Sequence, residues 1–195
     1  RCGCEFVVRQ VDRSGFIAQL AAWLKRPDDK VTRALFYLKP DGFREIDEHF
    51  GPLASDELVE DLGEFIAEQL GHDDVTARFG GNIFTMLVER HSISGILATA
   101  EKLCEAIAGN LFETSSLSTN MTASIGVIEL SGQVTDEIQA VTLAQVAARV
   151  ALGAPRTVMN WASGTRRATS RLLAHFEPPP DRVEPVSLMQ PADVA

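Results

Sequence analysis

Two groups of residues have types and spacing that could do chemistry. Cys2 and Cys4 form a Cys-x-Cys pair, a spacing that could bind a metal or oxidise, but no second Cys/His pair stands at zinc-site spacing. Cys104 is alone, so all three read as reduced thiols in a cytoplasmic compartment. His72 and His91 have no matching nucleophile and read as surface histidines. The second group is Gly80-Gly81-Asn82, which separates two short apolar runs at residues 75–79 and 83–88. That is a β-hairpin pattern in which glycine supplies the tight turn. Asp56 and Glu57 stand where they would favour the first turn of a long helix. Asp41, ahead of Gly42, is a natural turn cap.

The elements that must position these groups can be read from periodicity. Residues 12–25 carry Phe16, Ile17, Leu20 and Leu24 on one helical face. Residues 34–38 are apolar with two aromatics and read as a buried strand that ends in Lys39-Pro40-Asp41-Gly42. From Ser55, taken as an N-cap, Leu58, Leu62, Phe65, Ile66 and Leu70 form one stripe, with Gly71 closing the helix. After the hairpin come a helix through Ile96–Ile107, a strand over 122–128, an alanine-rich helix over 142–152 and a short strand over 157–159. Arg166, Arg167 and Arg171 lie in a short helical stretch, and Pro178-Pro179-Pro180 opens a Pro-rich end without periodicity. This order supports an α/β or α+β domain built on one main sheet.

Composition narrows the function. The 195 residues are 45% hydrophobic and 23% charged, as in an ordinary globular protein, with no apolar run of membrane-spanning length. The net charge of −9 repels nucleic-acid phosphates and acidic membrane surfaces. DNA, RNA and membrane are therefore not expected partners of this segment. A small nucleotide is still allowed, because a local basic pocket can reverse the sign at one site. No signal peptide is visible, and a start at Arg1 rather than Met suggests a piece of a longer protein.

Five pieces, in order across residues 12–158, resemble the GGDEF family of bacterial second-messenger enzymes. They are the strand and turn Phe36-Tyr37-Leu38-Lys39-Pro40-Asp41-Gly42-Phe43-Arg44-Glu45-Ile46-Asp47; Gly51 with Ser55-Asp56-Glu57-Leu58; Ala77-Arg78-Phe79-Gly80-Gly81; Ser124-Ile125-Gly126-Val127; and Ala144, Ala147, Ala151 and Arg156. The resemblance implies a cyclase-palm, ferredoxin-like fold: a central, mainly antiparallel sheet flanked by helices. It implies a domain over 12–161, a lead-in over 1–11 and a linker over 162–195. Active relatives join two GTP molecules into cyclic di-GMP across a two-fold dimer.

Residue by residue, the resemblance also implies loss. The signature is Gly80-Gly81-Asn82-Ile83-Phe84. The family's metal-binding carboxylates fall on Lys39, Asn82 and Ile83, none of which is a carboxylate. Phosphoryl transfer of this kind needs divalent cations held by hard oxygen ligands. A relocated site on Asp41 and Asn82 is the remaining option. No catalytic residue and no cofactor is therefore expected, with Mg²⁺ required only by residual cyclase activity. For guanine, Asp56 keeps the family's carboxylate, which can accept from N1–H and N2–H₂, whereas Asp47 replaces an Asn and has lost its amide donor. Of two phosphate contacts one is Leu152, and the other, Arg156, remains. The inhibitory Arg-x-x-Asp falls on Gly71 to Asp74, so its guanidinium is gone and Asp74 reads as an ordinary loop acid. The expected role is a catalytically inactive regulatory or scaffolding module of a cyclic di-GMP signalling protein, as a homodimer and with an EAL-type domain downstream. The alternatives are a sensor of GTP or cyclic di-GMP and a residual cyclase.

Overall fold

The structure is a computed structural model that describes residues 9–26, 30–115, 117–131, 134–151, 158–162 and 165–168; residues 9, 158–162 and 165–168 are described through their backbone alone. In chain order the elements are β1 (Arg9–Gln10), α1 (Arg13–Leu24), β2 (Thr32–Pro40), α2 (Phe43–Gln69), β3 (Val75–Gly80), β4 (Ile83–Arg90) and α3 (Ile93–Gly109). Then follow β5 (Leu111–Glu113), β6 (Ser118–Asn120), β7 (Ala123–Glu129), α4 (Glu137–Ala151), β8 (Val158–Ala162) and β9 (Thr165–Ala168).

Seven strands form one sheet in the order β1-β3-β4-β2-β7-β8-β9, and β5 pairs with β6 in a separate hairpin. The central four, β3-β4-β2-β7, are mutually antiparallel, while β1 joins β3 and β8 joins β7 in parallel. The mainly antiparallel α+β architecture is therefore borne out. Strand β2 is apolar on both faces because helices cover both. Side chains alternate along it. Ala34, Phe36 and Leu38 enter a core with α2 and α3, and Leu35 and Tyr37 enter a second core with α1 and α4.

Helix α4 sits close on the sheet. A Cβ at Gly126 of β7 would overlap the carbonyl oxygen of Ala144 and the amide nitrogen of Ala148. The face of α4 that meets the sheet is Ala140, Ala144, Ala147, Ala148 and Ala151, all buried. Small side chains on the helix and none on the strand let the two backbones approach, which is why this helix is alanine-rich.

Several boundaries differ from the sequence reading. Ser55 is not an N-cap: α2 is already helical from Phe43, breaks at Gly51 (φ 81°) and restarts at Pro52. Proline suits the first helical position, where its missing N–H has no partner to lose. The helix ends at Gln69 with Leu70 as its cap, so Gly71 lies beyond it. Arg166 and Arg167 lie in β9, antiparallel to β8, not in a helix. The sheet thus continues past residue 161. Arg171 and the triple proline lie outside the described residues, as do Cys2 and Cys4.

Replacing Gly126 by Ala is expected to lower stability by about 3 kcal/mol, since overpacking a close-packed layer forces backbone shifts. The urea unfolding midpoint measures it, and an unchanged midpoint would mean that α4 is not held this tightly.

Candidate functional site

The turn after β2 is locked from across the sheet. Asp41 accepts hydrogen bonds from the Thr122 hydroxyl (2.6 Å, Oδ2) and the Ser124 hydroxyl (2.8 Å, Oδ1), and its amide donates to the Thr122 carbonyl. Gly42 follows with φ 67°, a left-handed conformation that favours glycine, and α2 begins at Phe43. Both oxygens of Asp41 are thus engaged in holding the turn against β7.

The break at Gly51 kinks α2 between its first segment, residues 43–50, and its second. The Ser55 hydroxyl lies 2.9 Å from Asp47 Oδ1 and 3.1 Å from the Gly51 carbonyl, either of which accepts its one proton. On the neighbouring hairpin, Gly81 takes φ 55°, as its position in the tight turn requires. Arg78 donates from Nε to the Gly81 carbonyl (2.7 Å) and from a terminal nitrogen to Asp56 Oδ1 (3.2 Å). One guanidinium therefore ties the hairpin turn to the long segment of α2.

These elements enclose a cleft of about 560 Å³ lined by Lys39, Asp41, Asp47, Asp56, Arg78 and Asn82, among others. The structure brings together Lys39, Asp47, Asp56, Gly81 and Asn82, which the sequence named from separate segments. Arg78 is a cleft residue to which sequence reasoning gave no role. Its signal was its position two residues before the Gly-Gly turn, which puts its side chain within reach of that turn. Ile83 lines a different cleft, on the side of α1 and α4. Phe84 is buried among the α2/α3 core residues, as an anchor of the second hairpin strand must be. Leu152 and Arg156 lie outside the described residues.

Asp74 is not an ordinary loop acid. It is buried, and both its oxygens accept from Arg90 at 2.8 Å in a bidentate pair, while Oδ2 also accepts from the Gly71 amide at 2.8 Å. Such a buried, fully hydrogen-bonded carboxylate is a structural tie between the α2–β3 turn and β4. His72 and His91 are exposed, and His72 lies 3.4 Å from its neighbour Asp73. Cys104 is buried, and desolvation, reinforced by the negative charges of Asp41, Glu101 and Glu105, pushes its thiol up to about 12. It is inert at neutral pH.

Comparison with known proteins places the fold and the family. The profile of the family described as "Diguanylate cyclase, GGDEF domain" matches residues 11–153. The chain belongs to the GGDEF family. Diguanylate cyclase A of Treponema denticola is 27% identical over 100 residues, which are 51% of this chain and 27% of that protein. A bifunctional diguanylate cyclase/cyclic di-GMP phosphodiesterase of Pseudomonas aeruginosa, MucR, is 29% identical over 94 residues, 48% of this chain and 14% of that protein. The chain thus spans under a third of the length of these relatives. Among solved structures, the GGDEF domain of PA1120 from Pseudomonas aeruginosa superposes with a TM-score of 0.72 at 21% identity, covering 77% of this chain and 95% of that one. This likeness establishes the shared fold.

The divalent cation that the GGDEF family implies can be tested against the donors present. The Lys39 ammonium has no lone pair to give and carries the wrong charge, and Ile83 is hydrocarbon. Asn82 offers one neutral oxygen, and Asp41 is engaged twice by hydroxyls. Among the described residues no group of three or more His, Cys, Asp or Glu side chains is close enough to share a metal. The donor set does not fit a hard cation that wants several carboxylate oxygens.

The Asp41 latch yields a stability prediction. Asp41→Ala leaves the fully buried Ser124 hydroxyl without its acceptor and should cost about 2–3 kcal/mol, as loss of charge-assisted hydrogen bonds does. Asp41→Asn, which keeps one acceptor oxygen, should cost roughly half as much. Equal urea midpoints for the parent and both variants would show that Asp41 does not hold the turn.

Proposed function

We propose that this GGDEF domain is a catalytically silent regulatory module of a cyclic di-GMP signalling protein. The observation that carries this reading is Lys39 in the cleft beside Asn82, with Ile83 turned to the other side of the hairpin. Cation-assisted attack of one nucleotide on another needs carboxylates at that place, and an ammonium there opposes the cation instead. The turn, the kinked helix and the hairpin persist without the chemistry because each is held by its own hydrogen bonds.

A silent domain acts through its interfaces, by transmitting a conformational change to a neighbour. A second copy of this domain and an EAL-type domain later in the same chain are the partners we assign to it. The bifunctional relative supports the second, since it pairs cyclase and phosphodiesterase activities in one protein by its name. A cytoplasmic setting suits guanine-nucleotide signalling. Among the described residues no helix is long and apolar enough to cross a membrane.

A second reading rests on the cleft itself. Asp47 and Asp56 each use one oxygen internally and keep the other without a hydrogen-bond partner among the described residues. Carboxylate oxygens placed in this way can accept from the N–H edge of guanine, so a sensor of GTP or cyclic di-GMP is the alternative, with Arg156 as a phosphate contact. Calorimetry with GTP, with and without Mg²⁺, separates the two: saturable heat supports the sensor, and no heat at millimolar GTP removes it.

The silent-module reading predicts that the domain and the full-length protein, incubated with GTP and Mg²⁺ or Mn²⁺, form no cyclic di-GMP in a chromatographic assay. Formation of a product that disappears in the Asn82→Ala or Asp41→Ala variant would establish a residual cyclase and overturn it.

A further inference from the structure

The hairpin turn is a wall shared by two clefts. Gly81 and Asn82 line the cleft described above, and Gly80 and Ile83 line a second cleft of about 750 Å³ between α1 and α4. Its lining includes Ile17 of α1, Tyr37 and Phe79 of the sheet, and Ile138 and Val141 of α4. The Phe79 ring is met edge-on by Tyr37 at 6.5 Å, and the Arg13 guanidinium lies 4.4 Å from its centroid. Ile138 is 81% exposed, which leaves a large apolar side chain in water at the rim.

Two polar groups on this cleft, the Tyr37 hydroxyl and the exposed Arg13 guanidinium, are open to a ligand. Tyr37 is 5% exposed, and its hydroxyl, which makes no hydrogen bond among the described residues, keeps contact with solvent. Arg13 forms no ion pair among the described residues and only rests on the Phe79 face. Burial raises the Tyr37 pKa, with the positive charges of Arg149 and then Arg13 opposing it. The phenol is therefore a proton donor in a positive field, and the partner that suits it is an anionic acceptor.

We propose that this cleft is a binding site for a small molecule with a flat apolar body and a single anionic group, the body lying against Phe79, Ile83 and Val141 and the anion meeting the Tyr37 hydroxyl and Arg13. The volume is that of an ordinary small-molecule site, largely apolar with a few convergent polar groups. Glu137, on the α4 wall, opposes a second negative charge and so favours a monoanion over a nucleotide polyphosphate. The site goes beyond the role proposed for the nucleotide cleft and stands whether or not that cleft binds guanine.

The test is a titration of the full chain with 2-naphthoate, and with the neutral 2-naphthylmethanol, followed by methyl and amide NMR shifts. Naphthoate is expected to give saturable shifts at Ile17, Ile83, Ile138 and Val141. Arg13→Gln should weaken it roughly tenfold, by loss of the ion pair, and Tyr37→Phe roughly fivefold, by loss of one hydrogen bond to the carboxylate. The neutral alcohol should bind the parent more weakly and be indifferent to Arg13→Gln. Both variants keep the apolar packing, and Ile138→Asp, at an exposed position, provides an independent block of the rim that should also weaken naphthoate. Shifts that do not saturate, that map elsewhere, or that are unchanged in well-folded Arg13→Gln and Tyr37→Phe proteins would overturn the proposal.

Discussion

Strand β2 is hydrogen-bonded along both edges, to β4 from Leu38↔Phe84 to Thr32↔Arg90 and to β7 from Pro40↔Ala123 to Ala34↔Glu129. This double pairing fixes its register, and with it the face to which each residue points. Even-numbered residues 34–38 enter the α2/α3 core, and Leu35 and Tyr37 enter the α1/α4 core. A slip of one residue would exchange the two sets between the two cores. The same register delivers Lys39 to the strand end and Asp41 to the hydroxyls of Thr122 and Ser124. The geometry of both clefts is downstream of this one strand.

The corner that the strand builds is rigid for reasons separate from any chemistry. Asp41, Ser55 with Asp47, and Arg78 with Asp56 and Gly81 each tie two segments together. None of these ties needs a metal. A family fold can therefore outlast the residues that gave it activity, because the sheet register and the turn latches are selected by stability while the catalytic carboxylates contribute little to it. On the reading proposed here, Lys39, Asn82 and Ile83 mark where selection on chemistry has lapsed and selection on shape has not.

Much of this was legible in the sequence. The long apolar stripes of α1, α3 and the second part of α2 announced themselves by period, and the Gly-Gly turn announced the hairpin. The β5–β6 hairpin was invisible because three-residue strands carry no periodicity to detect. Ser55 imitated an N-cap, with acidic residues behind it, but Gly51 and Pro52 set the restart four positions earlier. The ties of the site were hidden by distance along the chain. Asp41 finds its hydroxyls 81 and 83 residues away, and Asp74 finds Arg90 16 residues on, across β3 and the hairpin. Nothing local in Gly71-His72-Asp73-Asp74 distinguishes a loop acid from a buried ion pair.

The donor set at the strand end and hairpin, Lys39, Asn82 and Ile83, does not suit a divalent cation. Titration with Mn²⁺ followed by electron paramagnetic resonance, on the parent protein and on a Lys39→Asp/Asn82→Asp/Ile83→Glu variant in the presence of GTP, tests this most directly. The parent is expected to show no saturable Mn²⁺ uptake beyond that of GTP alone, and the variant to gain a bound population when the three carboxylates are supplied. Tight uptake by the parent, lost on replacing Asp41 or Asn82, would contradict it.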